Sequence, residues 1–383
     1  MTVNRRSFCR CYNATDHKLN MANYITPAFA DRRIQLIILG VAMLLLRIWL
    51  IGSPVPASDT YTYLDSIEFI ESGTEAEDPR YLTRILTSPL FLASGYFIGA
   101  IFDSTAYGFL FVSLIFFILA IPVFYHLALA IFSDKRIATI ASIIFVTNYN
   151  FYRFGVEFLA DMPGWFFMLL SSLFAVYYYQ DRNTKKYFYL AITAAAIGVF
   201  FKEYGALGMF TLGMVTLFSA KTWFLRFKEW FIAGAIFSII LVAYHLIIFL
   251  TLHYSYFDWW LSNTESAAPT MYNLETLIKV LGWLFLAGWP LILMSGIRET
   301  KVFFQKGLQD YHLLLICFIP MAISFLAWPG FLQRVGFVMV PLLALVATLW
   351  LSDIKRTSLI VLILFTYAAI NLSTEWLMTV VNI

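Results

Sequence analysis

From residue 34 onward the chain alternates long apolar runs with short polar ones. A membrane-spanning helix needs about 20 mostly apolar residues. Segments 34–52, 106–132, 137–148, 162–179, 187–201, 205–220, 230–252, 276–297, 311–328, 335–351 and 357–376 approach that template, with 137–148 and 187–201 the shortest fits. The pattern predicts an all-α integral membrane protein with about eleven transmembrane helices. Two stretches after the first span have a different character. In Thr60–Ser72, Tyr63, Leu64, Ile67 and Ile70 share one helical face while Asp65, Glu68 and Ser72 share the other. That spacing predicts an interfacial helix lying flat on the membrane with its acids toward water. Pro89–Phe102, PLFLASGYFIGAIF, is apolar but short for a span.

Basic residues fix the expected sidedness, because cytoplasmic loops carry an excess of Lys and Arg. With the amino terminus inside, the inner segments hold Arg5, Arg6, Arg10, Lys18, Arg32 and Arg33, then Lys135 and Arg136, then Arg182, Lys185 and Lys186. Further along they hold Lys221, Arg226 and Lys228, then Arg298, Lys301 and Lys306, and last Lys355 and Arg356. If Pro89–Phe102 spanned the membrane, every later loop would change sides and most of these would land outside. It therefore reads as a second interfacial helix, on the outer leaflet. Residues 1–33 become a cytoplasmic tail, and Met21 is an alternative start. Residues 53–105 become an outer loop inside a transmembrane module of 34–220, followed by a second, variable module of 221–383.

Composition agrees. The chain is 61% apolar and 13% charged, against about 25% charged for a soluble domain. Aromatic residues reach 19%, as aromatic belts at two interfaces require. Residues 1–33 are polar and basic, and no small-residue cleavage site follows the first apolar run, so no cleavable signal peptide is expected. Cys9, Cys11 and Cys317 make no zinc pattern. No dinucleotide-binding, phosphate-loop or metalloprotease motif occurs, and no internal repeat. The expected partners include membrane lipids and not nucleic acid.

The polar chemistry collects on the predicted outer side. Ala57–Pro89 is the longest polar run after the amino-terminal tail, carrying Asp59, Asp65, Glu68, Glu71, Glu75, Glu77 and Asp78 with Arg80 and Arg84. Residues 149–161 hold Arg153, Glu157 and Asp161, and Phe201-Lys202-Glu203-Tyr204-Gly205 closes the fifth span. Residues 253–275 hold His253, Asp258, Trp259, Trp260 and Glu265, and Pro329–Arg334 precedes the tenth span. Charges at span ends are costly and are functional candidates by default.

This order of parts resembles the GT-C superfamily of polyprenyl-phosphate-sugar glycosyltransferases, which includes protein O-mannosyltransferases and lipid A aminoarabinose transferases. Ser58-Asp59-Thr60-Tyr61 is similar to the acid that opens a flat helix in the first outer loop, and Arg80–Pro89 to the arginine-and-proline segment that leads to a second. Leu159-Ala160-Asp161-Met162-Pro163 resembles the second-loop acid, Phe201-Lys202 the cation closing the fifth span, and Gln333-Arg334 with Pro341 the late outer arginine. The resemblance covers about 34–220 best and implies a GT-C-like fold with a polyprenyl-phosphate-linked sugar as donor. The sequence departs from the family in having Thr60 rather than an acid after Asp59, Val335 where an aromatic often follows the arginine, and no large soluble outer domain. The acceptor stays open among lipid, glycan and protein.

The chemistry suits these residue types. A phosphate leaving group needs positive charge rather than an acid, and the incoming hydroxyl needs a base, so one carboxylate with a cluster of Arg and Lys suffices. Arg binds phosphate bidentately and Lys binds it as a point charge. Asp59 is the expected base, Asp161 the residue that orients donor or acceptor, and Arg80, Arg84, Lys202 and Arg334 the expected phosphate ligands. Each has a plainer alternative. Asp59 and Asp161 suit helix starts, Lys202 could snorkel beside Glu203, and Arg334 could be an interface anchor. Asp65, Glu68 and Glu71 read as a solvated face, and His245 and His253 as structural. Asp59, Glu157 and Asp161 could hold a divalent cation. The expected location is the bacterial inner (plasma) membrane with the active site facing outward. The rival reading is a multi-span transporter or lipid flippase, which would place charges near the bilayer midplane at a repeat interface. A non-enzymatic assembly subunit is the third.

Overall fold

A computed structural model describes residues 31–76, 80–181, 184–219, 222–266, 273–328 and 332–374. Among the described residues there are helices and no strands. Residues 1–30, with Cys9, Cys11 and Met21, lie outside them, as do Glu77, Asp78, Arg182, Lys221 and Pro329–Phe331.

Helix α1 (Arg32–Ile51) starts where the Asp31 carboxylate accepts from the Arg33 backbone N–H, and it ends at Gly52, whose φ of 107° favours glycine. Helices α2 (Ser58–Ser72), α3 (Arg80–Thr87) and α4 (Pro89–Gly99) form the loop that follows. Next come α5 (Thr105–Phe132), α6 (Lys135–Val146), α7 (Tyr149–Phe154), α8 (Asp161–Gln180) and α9 (Lys185–Phe201). A 3₁₀ turn, Glu203–Leu207, leads into α10 (Gly208–Leu217). The second half contains α11 (Trp223–Leu252), α12 (Tyr256–Ser266), α13 (Leu274–Phe285), α14 (Trp289–Lys306), α15 (Asp310–Cys317) and α16 (Ile319–Ile323). It closes with α17 (Gln333–Gly336), α18 (Val340–Ser352) and α19 (Thr357–Leu372).

Six stretches among the described residues are long and apolar enough to cross a membrane: Arg32–Ile51, Thr105–Phe132, Trp223–Leu252, Leu274–Lys306, Asp310–Ala327 and Gln333–Ser352. The expected number of about eleven is not reached by that measure. The other five predicted spans are helical but shorter or more polar. Residues 137–148 fall in the 12-residue α6, 187–201 in the 17-residue α9 and 357–376 in the 16-residue α19. Segment 205–220 is split by the 3₁₀ turn, leaving the 10-residue α10. Helix α8 has 20 residues but carries Asp161, Ser171 and Ser172.

For α8, α9 and α10 the reason is burial, whereas α19 is simply short and keeps Val361, Leu362 and Phe365 exposed. Helices α8, α9 and α10 face one another inside the bundle, so protein rather than lipid solvates their polar groups. Ser171 Oγ donates to the Ala191 carbonyl at 2.8 Å, and Ser172 Oγ donates to Thr211 at 3.2 Å. Small residues let the backbones approach, as is general for helices packed in membranes. By contrast α11 turns almost all of its apolar surface outward, including Phe231, Ile239, Val242 and Leu250.

Both predicted interfacial helices exist, as α2 and α4, with α3 between them. Helix α2 also packs on protein. The buried side of α2 is Thr60, Thr62, Tyr63, Ser66 and Ile67, while Ile70 is 59% exposed. Helix α2 leans its small hydroxyl residues on α3: Ser66 Oγ donates to the Tyr81 carbonyl at 2.8 Å. Helix α4 lies against α5 through glycines. A Cβ on Gly108 would sit 2.0 Å from the Gly95 carbonyl oxygen, too close for any side chain.

Candidate functional site

Five elements deliver charged side chains to one end of the bundle. Asp59 lies in the first turn of α2 but does not cap it. The Ala57 backbone N–H instead donates to Thr60 Oγ1 at 3.0 Å, which leaves the Asp59 carboxylate free to turn inward. Its Oδ1 accepts from Arg84 Nη2 at 2.9 Å, and its Oδ2 accepts from Arg334 Nη2 at 2.7 Å. Both oxygens are thus held by guanidinium groups from distant parts of the chain.

Arg84 is 8% exposed and fixed from three directions. Its Nε donates to Thr62 Oγ1 at 3.0 Å, Nη2 reaches Asp59, and the guanidinium lies 4.8 Å from the centre of the Tyr63 ring. That last contact has cation–π geometry. Helix α3, which carries Arg84, is itself tied to the outer end of α11. The Tyr244 hydroxyl donates to the Ile85 carbonyl, and Thr83 Oγ1 and the Tyr254 hydroxyl are 2.7 Å apart.

Arg334 enters on α17, which is anchored by Phe337 three residues on. The Phe337 ring stacks on Trp165 of α8 at 3.9 Å. Lys202 is the residue at which α9 ends and the chain turns back. Its backbone N–H donates to the Gly198 carbonyl at 2.8 Å, and its Nζ lies 3.6 Å from Glu203 Oε2. The turn needs glycine twice. A Cβ on Gly205 would be 2.2 Å from the Gly198 carbonyl carbon, and a Cβ on Gly164 would be 2.7 Å from Lys202 Cβ. These close approaches press Lys202, Glu203 and Tyr204 against the start of α8.

Asp161 opens α8 and is 3% exposed. Its Oδ1 is buried without a hydrogen-bond donor, and its carboxylate lies against the Tyr204 hydroxyl and within the field of Arg334. A buried carboxylate oxygen with no donor is costly and marks a place where a ligand or proton is wanted. Glu203 Oε2 is likewise buried without a hydrogen bond. Three cations (Arg84, Lys202, Arg334) therefore interleave with three carboxylates (Asp59, Asp161, Glu203).

The electrostatics of Asp59 follow from this company. Burial pushes its carboxyl up, but Arg84 and Arg334, with Lys202 behind them, more than reverse the shift and hold it well below the usual carboxylate range. For Arg84, burial disfavours the charge, but Tyr63, Asp59 and Glu203 outweigh that and raise its pKa.

Of the residues singled out in the sequence, Asp59, Arg84, Lys202, Arg334 and Asp161 come together. Arg80 does not. It sits one helical turn before Arg84, is exposed, and lines an acidic pocket of about 590 Å³ with Tyr61, Asp65, Glu68 and Glu75, which borders the cluster at Thr62. Glu68 keeps the exposed character expected of it, while Asp65 is half-buried. Glu157 pairs with Arg153 rather than with Asp59 and Asp161. Both Asp59 oxygens are on guanidinium groups, and no three His, Cys, Asp or Glu side chains converge on a metal position among the described residues. Thr62, Tyr63, Glu203 and Tyr204 had no role in the sequence reading. Thr62 was findable, being three residues from Asp59 and so a neighbour on the helix surface. Arg334 belongs to the 221–383 part, so the site draws on both sides of the predicted module boundary.

Comparison with known proteins bears on the family and the fold. Residues 88–248 match the dolichyl-phosphate-mannose-protein mannosyltransferase family. The matched stretch contains Asp161 and Lys202, and it begins after Arg84. Among solved structures, the Archaeoglobus fulgidus oligosaccharyltransferase in its apo form superposes with a TM-score of 0.51 at 14% identity, over 88% of this chain and 54% of its own. The same enzyme in complex with Zn and sulfate gives 0.52 at 14% identity, over 90% and 53%. At that identity the likeness is one of fold, and this chain spans about half the length of those structures. No curated protein matches the chain. The family match points to a GT-C glycosyltransferase, as the order of parts in the sequence suggests.

Proposed function

We propose that the protein transfers a sugar from a polyprenyl-phosphate donor to an acceptor hydroxyl at the outer face of a bacterial inner membrane. The observation that carries this reading is the convergence of Arg84, Lys202 and Arg334 around the Asp59 carboxylate at one end of an apolar helical bundle. A lipid phosphate sits at a membrane surface, so its ligands must lie at one end of the spans, as these do.

In the proposed reaction the acceptor oxygen attacks the anomeric carbon from the face opposite the phosphate. The new carbon–oxygen bond forms as the anomeric carbon–phosphate oxygen bond breaks, with inversion. The electron pair leaves on the polyprenyl phosphate, whose added negative charge falls among the two guanidinium groups and the ammonium. The acceptor proton passes to Asp59, so charge is conserved at the site. Asp161, whose Oδ1 has no donor, is suited to accept a hydrogen bond from a sugar or acceptor hydroxyl. The acceptor is a lipid, glycan or protein hydroxyl. A transporter reading is less well supported, since this cluster lies at helix ends rather than in mid-span.

Incubating the purified protein with a panel of radiolabelled polyprenyl-phosphate sugars and membrane acceptors tests the reading. Transfer from at least one donor is expected. Lys202→Ala and Arg334→Ala should weaken donor binding by about tenfold or more while expression holds, since a charged hydrogen bond contributes about 1.5–3 kcal/mol. Unchanged donor affinity in both variants would make these residues interface anchors and the reading wrong.

A further inference from the structure

The residues that make Asp59 attractive as a base are the same residues that bind the donor. Oδ1 is held by Arg84 at 2.9 Å and Oδ2 by Arg334 at 2.7 Å. A base works best when its pKa lies near the working pH, and a carboxylate held by two guanidinium groups lies far below it. Asp59 as it stands is a poor proton acceptor. Carboxylate and phosphate offer a guanidinium fork the same kind of paired oxygen acceptors. The position that Asp59 fills is therefore one that a phosphate can fill instead.

We infer that Asp59 is a placeholder for the donor phosphate: the phosphate takes Arg84 and Arg334 from it, and only the released carboxylate accepts the acceptor's proton. This rests on the transferase reading above and adds an order to it, with donor first and acceptor second. The surroundings suit such an exchange. Arg84 does not depend on Asp59 for its position, because Thr62 Oγ1 at 3.0 Å and the Tyr63 ring at 4.8 Å hold it as well. Arg334 is kept by the packing of its own short helix, through Phe337 on Trp165. Lys202 is partnered by Glu203 and makes no hydrogen bond to Asp59, so it is a third cation for the phosphate that needs no exchange. After transfer Asp59 gives its proton to water, the polyprenyl phosphate departs, and the carboxylate returns to the two arginines. The free protein thereby keeps its base masked while no sugar is present.

The inference makes an uncommon demand on a catalytic substitution. Asp59→Asn removes the anion that competes for the arginines, so it should abolish transfer and at the same time tighten the binding of polyprenyl phosphate. The expected gain is about tenfold or more, the value of one charged hydrogen bond no longer exchanged. Binding is measured on the full chain in lipid nanodiscs, with Asp65→Asn as the control expected to match wild type. Equal or weaker binding by Asp59→Asn, with unchanged thermal stability, overturns the inference. A second measurement uses wild type alone and does not depend on the variant folding. Preloaded radiolabelled donor, chased with acceptor and excess unlabelled donor, should be trapped as product. Preloaded labelled acceptor should not be trapped, and trapping of acceptor overturns the order. Failure of both proteins to bind polyprenyl phosphate overturns the transferase reading and the inference with it.

Discussion

Arg84→Lys keeps the charge and changes only the shape of the cation, so it isolates what the guanidinium fork does. Arg84 spans two acceptors, Thr62 at 3.0 Å and Asp59 at 2.9 Å, while its face lies over Tyr63. A lysine ammonium at the end of a flexible stem can meet one of these acceptors but not both, and it loses the flat stacking surface. The side chain is only 10% exposed, so solvent screens little of the loss. One charged hydrogen bond contributes about 1.5–3 kcal/mol, and a desolvated cation–π contact about 1–2 kcal/mol. Some of this is regained by the ammonium that remains, giving a cost of about 2–4 kcal/mol. Arg84→Ala should cost more, toward the roughly 3–5 kcal/mol of removing one partner of a buried pair, tempered because Arg334 still holds Asp59. Denaturant or thermal unfolding in a mild detergent should therefore rank wild type above Arg84→Lys above Arg84→Ala. Binding of polyprenyl phosphate should fall about tenfold in the lysine variant, as a bidentate contact becomes a single one. A lysine variant equal to wild type in both stability and donor binding would refute the argument that geometry, rather than charge alone, makes this a phosphate site.

Two further predictions test the frame around the site. Gly205→Ala places a Cβ 2.2 Å from the Gly198 carbonyl carbon, so the turn carrying Lys202 must shift. It should cost about 1–3 kcal/mol of stability and reduce donor binding without touching any charged group; thermal unfolding with a binding isotherm checks both. With the native cysteines removed, single cysteines at Glu75 and Lys228 should label from opposite sides of the membrane with an impermeant thiol reagent, and labelling from one side would refute the sidedness.

What the sequence reveals here depends on which environment a residue answers to. The apolar runs that face lipid are plain in the sequence, because lipid demands hydrophobicity along the whole span. That is why α1, α5 and α11 fall where the runs predict. Helices α8, α9 and α10 answer to one another, so Ser171 can bond to the Ala191 carbonyl and Gly205 can press on Gly198 without a continuous apolar signal. A threshold on length and hydropathy therefore passes over these interior helices, although the apolar runs at 162–179 and 187–201 already mark α8 and α9. The small polar positions of α2 are the part its period does not predict: Ser66 and Thr62 pack on α3, which meets them with polar backbone and a guanidinium.

The site was partly legible because sidedness is a one-dimensional property. Once the basic loops are placed inside, Asp59, Arg84, Asp161, Lys202 and Arg334 all fall on the other side. Sidedness cannot pair them. Asp59 finds Arg84 across 25 residues and Arg334 across 275. Nor can it separate Arg80 from Arg84, which share a loop, a charge and a helix. Only the packing of α3 against α2 and α11 decides that one points inward and the other lines an acidic pocket. The mutual engagement of base and cations is the feature furthest from the sequence, and it matters most for mechanism. A list of one acid and several arginines describes a ready enzyme, while the bonded arrangement describes one whose acid must first be displaced. On the transferase reading, such an arrangement ties release of the acid to arrival of the donor phosphate, so Asp59 becomes a proton acceptor only where the leaving group is already held.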